Sequence, residues 1–169
     1  FSTLTIILIL ERLKEIDEMS HLNKELFDFI MTNKSEITDA WLTQQSKDNP
    51  AYSLPQNNTY LRDENGALIE AISSVYIRDQ FEYIEYINTR SAVVAEKRAK
   101  EKFPLYESIR SFRNVRIAYW AFVQKFIQQS TTPVTGKQVA EWSNLMNTAF
   151  DHIIENFAKY HHIYTANLL

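Results

Sequence analysis

An all-α bundle is the fold class that this sequence predicts, on three observations. Glycine and proline number 2 and 4 among 169 residues, against about 12% of a chain in average usage, so the turns that most β folds need have little to build them. Apolar residues recur at helical spacing through nearly the whole chain, and strand signals are absent. Capping-box patterns stand where two of the periodic stretches begin. A chain of this length is one domain, or one domain with an added arm, and is long enough to bury a core. Its 45% apolar and 23% charged residues are ordinary globular content.

Phe1 to Leu10 is an apolar run about half the ~20 residues that a bilayer span needs. It leads straight into Glu11-Arg12-Leu13-Lys14-Glu15-Ile16. Ile6, Leu10, Leu13 and Ile16 fall at helical spacing and no positive n-region precedes them, so residues 1–18 read as an amphipathic arm rather than a signal or an anchor. Met19-Ser20 offers an alternative start, which makes residues 1–18 an accessory arm or non-native leader and 19–169 the domain proper.

A helix is expected from His21 to Thr32, and Asn33 with Glu36 opens another through Ile37, Ala40, Trp41 and Gln44. Residues 47–59 hold two of the four prolines and three asparagines. They read as the one long loop, with helix resuming near Tyr60. From Ala67 to Ile87, the positions Leu68, Ile72, Val75, Phe81 or Ile84, and Ile87 mark one face of a single long helix, continued by a charged, Ala-rich stretch from Ser91 to Lys102. Pro104 suits a first helical turn, and Leu105, Ile109, Phe112, Trp120, Val123 and Ile127 mark a helix of about 25 residues. Ser130 to Gly136 breaks it. Thr135 with Gln138 repeats the capping box, and Val139, Trp142, Met146, Phe150, Ile153, Phe157 and Tyr160 carry the last helix to about Tyr164. Two long helices on so short a connection pack as an antiparallel hairpin, with the earlier helices across them.

Composition also excludes functions. Lys plus Arg at 18 against Asp plus Glu at 21 gives a net charge of -3, far from the basic balance with which duplex-binding domains displace counterions, so nucleic acid is not an expected partner. With no cysteine there is no disulfide frame, thiolate nucleophile or Cys-type metal site. That absence suits a reducing, cytoplasmic setting. Two glycines cannot build a nucleotide loop, and no Gly-x-Ser-x-Gly elbow or paired catalytic carboxylate motif occurs, so no catalytic residue is assigned. Asp151 and His152 are neighbours on a helix and point about 100° apart.

Metal and haem fare no better. Glu18-Met-Ser-His21 matches Glu-x-x-His once, whereas a carboxylate-bridged di-iron bundle needs it twice. His152, His161 and His162 share the last helix without the ligand spacing of a zinc site, so none is assigned to a metal. A bundle of long helices could hold haem in its middle, yet between Leu22 and Asp151 there is no His or Cys to serve as axial ligand.

The richest stretch is Arg110-Ser-Phe-Arg113-Asn-Val-Arg116-Ile-Ala-Tyr119-Trp120, with three arginines at every third position of an aromatic helix. Either this stripe is solvated or paired with glutamates, or at least one guanidinium points inward and meets an anionic ligand head or a halide. Aromatic residues crowd the two last helices, and ligand pockets are apolar with few polar anchors. On the family resemblance that the following residues carry, Arg113 and Arg116 are the candidate anion contacts, Tyr119 a hydrogen-bond donor, and Trp120, Phe150 and Phe157 candidate walls of an internal tunnel.

Phe112-Arg113-Asn114-Val115-Arg116 followed by Trp120, then Trp142-Ser143, Asn147, Ala149-Phe150-Asp151, Phe157 and Tyr160-His161, resembles the N-terminal non-haem globin sensor domain of the RsbR family of stressosome proteins. Ile37-Thr38-Asp39-Ala40-Trp41-Leu42 is similar to that family's second helix, so the likeness covers about residues 22 to 164. RsbR proteins carry a phosphorylatable STAS domain after the sensor, whereas this sequence ends at Leu169. The expectation is then a stand-alone sensor, similar to the plasmid-encoded sporulation inhibitors of pathogenic bacilli that mimic a histidine-kinase sensor domain. The resemblance implies a homodimeric, globin-like bundle without haem, with a fatty acid in an internal apolar tunnel and chloride nearby. It further implies inhibition of sporulation by competing for the signal of a sensor histidine kinase. The rival expectation is a purely structural dimeric interaction module without ligand, and haem-based gas sensing comes third.

Overall fold

The computed structural model describes residues 2–168, so Phe1, where the expected arm begins, lies outside the described residues. The described chain is all-α, as expected. Its helices are α1 (Thr3–Thr32), α2 (Lys34–Asp48), α3 (Pro55–Ser73), α4 (Gln80–Lys100), α5 (Leu105–Gln129) and α6 (Gly136–Asn167), with 3₁₀ turns at Pro50–Ser53 and Ser74–Tyr76.

The hairpin of α5 and α6 is antiparallel and is stitched by a ladder of aromatic pairs. Phe112 meets Phe157 with ring centroids 5.1 Å apart, Tyr119 meets Phe150 at 6.4 Å, and Phe126 meets Trp142 at 5.9 Å. As the α5 partner advances by seven residues, two helical turns, the α6 partner retreats by seven or eight. The closest neighbour of α6 is nevertheless α4. The buried positions of α4 are Tyr83, Ile87, Ser91, Ala95 and Ala99, one every four residues. Small side chains over the second half of that row let the two helices approach closely. α2 lies along α5, where buried Asn114 donates through Nδ2 to Asp48 Oδ2 at 2.8 Å and also to Gln45 Oε1.

Several local expectations change. The arm and the helix from His21 are one continuous helix, α1. Asn33 caps α2 by position only, because its Nδ2 donates backward to the Phe29 carbonyl at 2.8 Å, so that capping box does not form. The expected long loop is mostly ordered. Asn49 caps the 3₁₀ turn, and Pro55 begins α3 at the position where a missing N–H costs nothing. The single helix expected from Ala67 to Ile87 is instead broken. α3 ends at Ser73, and the Asp79 carboxylate restarts the chain by accepting from the Phe81 and Glu82 N–H groups at 2.9 and 3.0 Å. Of the two alternatives for the face position, Phe81 is 89% exposed and Ile84 packs partly buried against the core. Pro104 sits one position before α5 rather than in its first turn. At α6 half of the expected box forms. Thr135 Oγ1 accepts from the Gln138 N–H at 3.2 Å, while the Gln138 side chain donates to Asn23 Oδ1 at 3.1 Å.

Asn23 anchors α1 to the bundle, since its Oδ1 also accepts from Trp142 Nε1 at 2.7 Å. The first buried apolar residue of α1 is Leu22, followed by Leu26 and Ile30. Before it, eight large apolar residues from Leu4 to Ile16 are 46–66% exposed, and Glu15 meets Lys137 of α6 at 3.5 Å.

Candidate functional site

The six residues singled out from the sequence divide between three places. Arg113 is on the exposed side of α5, and Trp120 is partly buried. Arg116, Tyr119 and Phe150 come together: the Arg116 guanidinium lies 5.9 Å over the centroid of the fully buried Phe150 ring, which Tyr119 meets edge-on. The Tyr119 hydroxyl is 2.9 Å from Ser73 Oγ. Ser73 spends its own proton on the Ile69 carbonyl at 2.8 Å, so Tyr119 is the donor between them. Burial pushes the Tyr119 phenol up to about 12, and burial likewise raises Tyr76 and Tyr83 beside it. Phe157 is one helical stretch away, in the wall of a cavity.

That cavity, about 60 Å³ in volume, lies among α3, α4, α5 and α6, with Trp41 of α2 at one side. Its apolar walls include Leu61, Leu68, Val94, Phe112, Ile153 and Phe157. Arg90, exposed, marks its mouth. It is smaller than the ~300–1,000 Å³ of common small-molecule pockets, so a long ligand enters only as side chains move apart.

Polar groups concentrate on the same walls. Arg98 of α4 donates to Glu64 Oε1 of α3 at 2.6 Å, with 11% and 21% of the two side chains exposed. The guanidinium also packs 4.4 Å from the centroid of the Phe103 ring. Burial works against the Arg98 charge, and Glu64 with the neighbouring Tyr60 and Tyr52 together more than offset it, so its pKa stands above the ordinary arginine value. Trp41, Asn65 and Ser108 line the cavity, and each carries one buried polar atom, Nε1, Oδ1 and Oγ in turn, with no hydrogen-bond partner in the protein. An unsatisfied buried group of this kind costs ~1–3 kcal/mol, a cost that a polar partner would remove.

Local sequence explains their placement. Leu61, Asn65 and Leu68 share a face of α3, and the Asn65 amide is held by donating to Thr38 Oγ1 of α2 at 3.0 Å. At the end of α4 the Phe103 N–H bonds the Arg98 carbonyl at 2.9 Å and the Lys102 N–H bonds that of Ala99 at 3.0 Å. This is a Schellman cap that turns Phe103 back over the helix. His161 Nε2 then meets the Phe103 carbonyl at 3.1 Å.

Trp41, Glu64, Asn65, Arg98 and Ser108 were not among the sequence candidates. They come from four helices, and Arg98 sits in a run that reads as solvated. The available signal was polar residues at buried register positions, such as Asn65 between Leu61 and Leu68.

No family model matches the chain, and no solved structure matches it. Among curated proteins it is similar to the RsbT co-antagonist protein RsbRC of Bacillus subtilis (strain 168), 24% identical over 139 residues, which are 80% of this chain and 49% of that protein. It is also similar to RsbRD of the same organism, 25% identical over 134 residues, 77% of this chain and 48% of that protein. The chain thus spans about half the length of the relatives it matches. Across most of its own length, then, it is weakly similar to these two RsbT co-antagonist proteins.

Proposed function

We propose that the chain is a non-catalytic, cytoplasmic signal-sensing domain of RsbR type, globin-like and without haem, that binds a fatty acid in its interior. On this reading it acts as a homodimer, holds chloride near the acid, and inhibits sporulation by taking the signal from a sensor histidine kinase, as the plasmid-encoded inhibitors it resembles do. The cavity among α3, α4, α5 and α6 carries the proposal, because its walls are mainly apolar while Trp41, Asn65 and Ser108 among its lining residues each keep a polar atom without a partner. The buried, unpartnered hydroxyls of Tyr76 and Tyr83 offer neutral donors for the halide. Neither Arg113 nor Arg116 lines this cavity, so the anchoring role expected of them belongs to an acid held outside it, on the α5 side.

Ala67 lines the cavity and is only partly buried, so Ala67→Leu adds bulk there at small cost to folding. The variant is expected to lose fatty acid uptake and keep its unfolding midpoint within a few degrees. Undiminished uptake would move the acid out of this cavity. The second reading, an interaction module without ligand, is favoured by the exposed apolar half of α1.

A further inference from the structure

We infer that the cavity recognises the head of its ligand uncharged, as a group with one hydrogen-bond donor and one acceptor: a protonated carboxylic acid, a primary amide or a primary alcohol on an acyl chain. This rests on reading the cavity as the ligand site. Trp41 Nε1 is a donor only, Asn65 Oδ1 an acceptor only, and the Ser108 hydroxyl serves as either. All three atoms are buried without a protein partner, on side chains that line one cavity, and a ligand head reaches them as those side chains move apart. An acid O–H or amide N–H satisfies Asn65, and its carbonyl accepts from Trp41 or Ser108.

An ionised carboxylate fits worse on two counts. It has no proton for Asn65 Oδ1. It also arrives as a second anion beside Glu64, where the Arg98 charge is already matched at 2.6 Å, and so meets repulsion and loss of hydration together. The charged groups on the walls are Glu64 of α3 and Arg90 and Arg98 of α4, and the wall residues from α2, α5 and α6 are uncharged. Behind the wall, His161 of α6 holds the Phe103 carbonyl. Exposed Arg90 is the place where a carboxylate would be held instead, with its chain pointing inward.

Octanoic acid, octanamide and methyl octanoate share a chain and differ in the head. The full chain is titrated with each between about pH 5.5 and 7.5, following the indole N–H resonances by NMR. Octanamide is expected to bind at least about tenfold tighter than the ester, which has no donor, with an affinity independent of pH. That independence also controls for protonation of His161. The apparent affinity of octanoic acid should fall by about tenfold per pH unit, since the window lies above the carboxyl pKa of roughly 4–5. The Trp41 resonance should shift on binding while that of Trp142, already donating to Asn23 at 2.7 Å, should not. Trp41→Phe and Ser108→Ala should each weaken octanamide severalfold.

Acid affinity that holds or rises with pH overturns the inference, and its loss in Arg90→Gln would assign a carboxylate to the mouth. An ester as tight as the amide, or octanamide affinity unchanged in both variants, overturns it too. If none of the three probes binds, the ligand-site reading itself falls with it.

Discussion

Lys102 has a φ of 55°, the one positive value among the described non-glycine residues. It occupies the left-handed position of the α4 cap, where a side chain costs about 1–2 kcal/mol. Lys102→Gly relieves that strain and is expected to stabilise the fold by about 1 kcal/mol, seen as a midpoint a few degrees higher in thermal unfolding. A lower midpoint would mean that the lysine side chain holds the turn. The buried phenols are expected to weaken the fold at alkaline pH, because burial raises their folded-state pKa. Tyr119 titrates at about 12 when folded and near 10.0 when unfolded. Its contribution is therefore full below pH 10 and disappears as pH rises through 12. Unfolding free energy should fall over that interval, less steeply in Tyr119→Phe, and an unchanged slope would place the alkaline transition elsewhere.

At the scale of elements, spacing made α2, α5 and α6 legible, because each carries a regular apolar row bounded by breakers. The Ala67–Ile87 stretch misled because its period continues through Ser74–Tyr76, where the chain leaves the helix and Asp79 restarts it. Periodicity records which residues face the core and does not register a break that preserves the facing side. Partner choice was equally hidden, since the aromatics of α5 and α6 announce their hairpin while α4 meets α6 through Ser91, Ala95 and Ala99, which leave little trace in a hydropathy pattern. Ala95 is fully buried in that row. Ala95→Leu is expected to destabilise the protein by about 1–3 kcal/mol through overpacking, measured by denaturant unfolding, whereas a similar Leu at Val93, 60% exposed on the same helix, should cost almost nothing. Equal effects would contradict the close approach of α4 and α6.

Across the whole molecule, the exposed apolar half of α1 and the cavity are the two features that packing leaves unsatisfied. No helix among the described residues is long and apolar enough to cross a membrane. If the proposed homodimer uses the arm, a chain starting at Met19 should sediment as a monomer, and an unchanged dimer would remove the arm from the interface. The cavity was barely legible in advance: only Phe157 of the six candidates lines it, because a pocket assembled from five helices has no local spacing to betray it. The central claim is that this interior holds a lipid-like ligand, and native mass spectrometry of the purified protein, with organic extraction of whatever is released, tests it most directly. The account predicts a co-purifying fatty acid or related acyl compound at near one per subunit. A clean apo mass, with none taken up on titration, would contradict it and leave a packed helical module whose function lies on its surface.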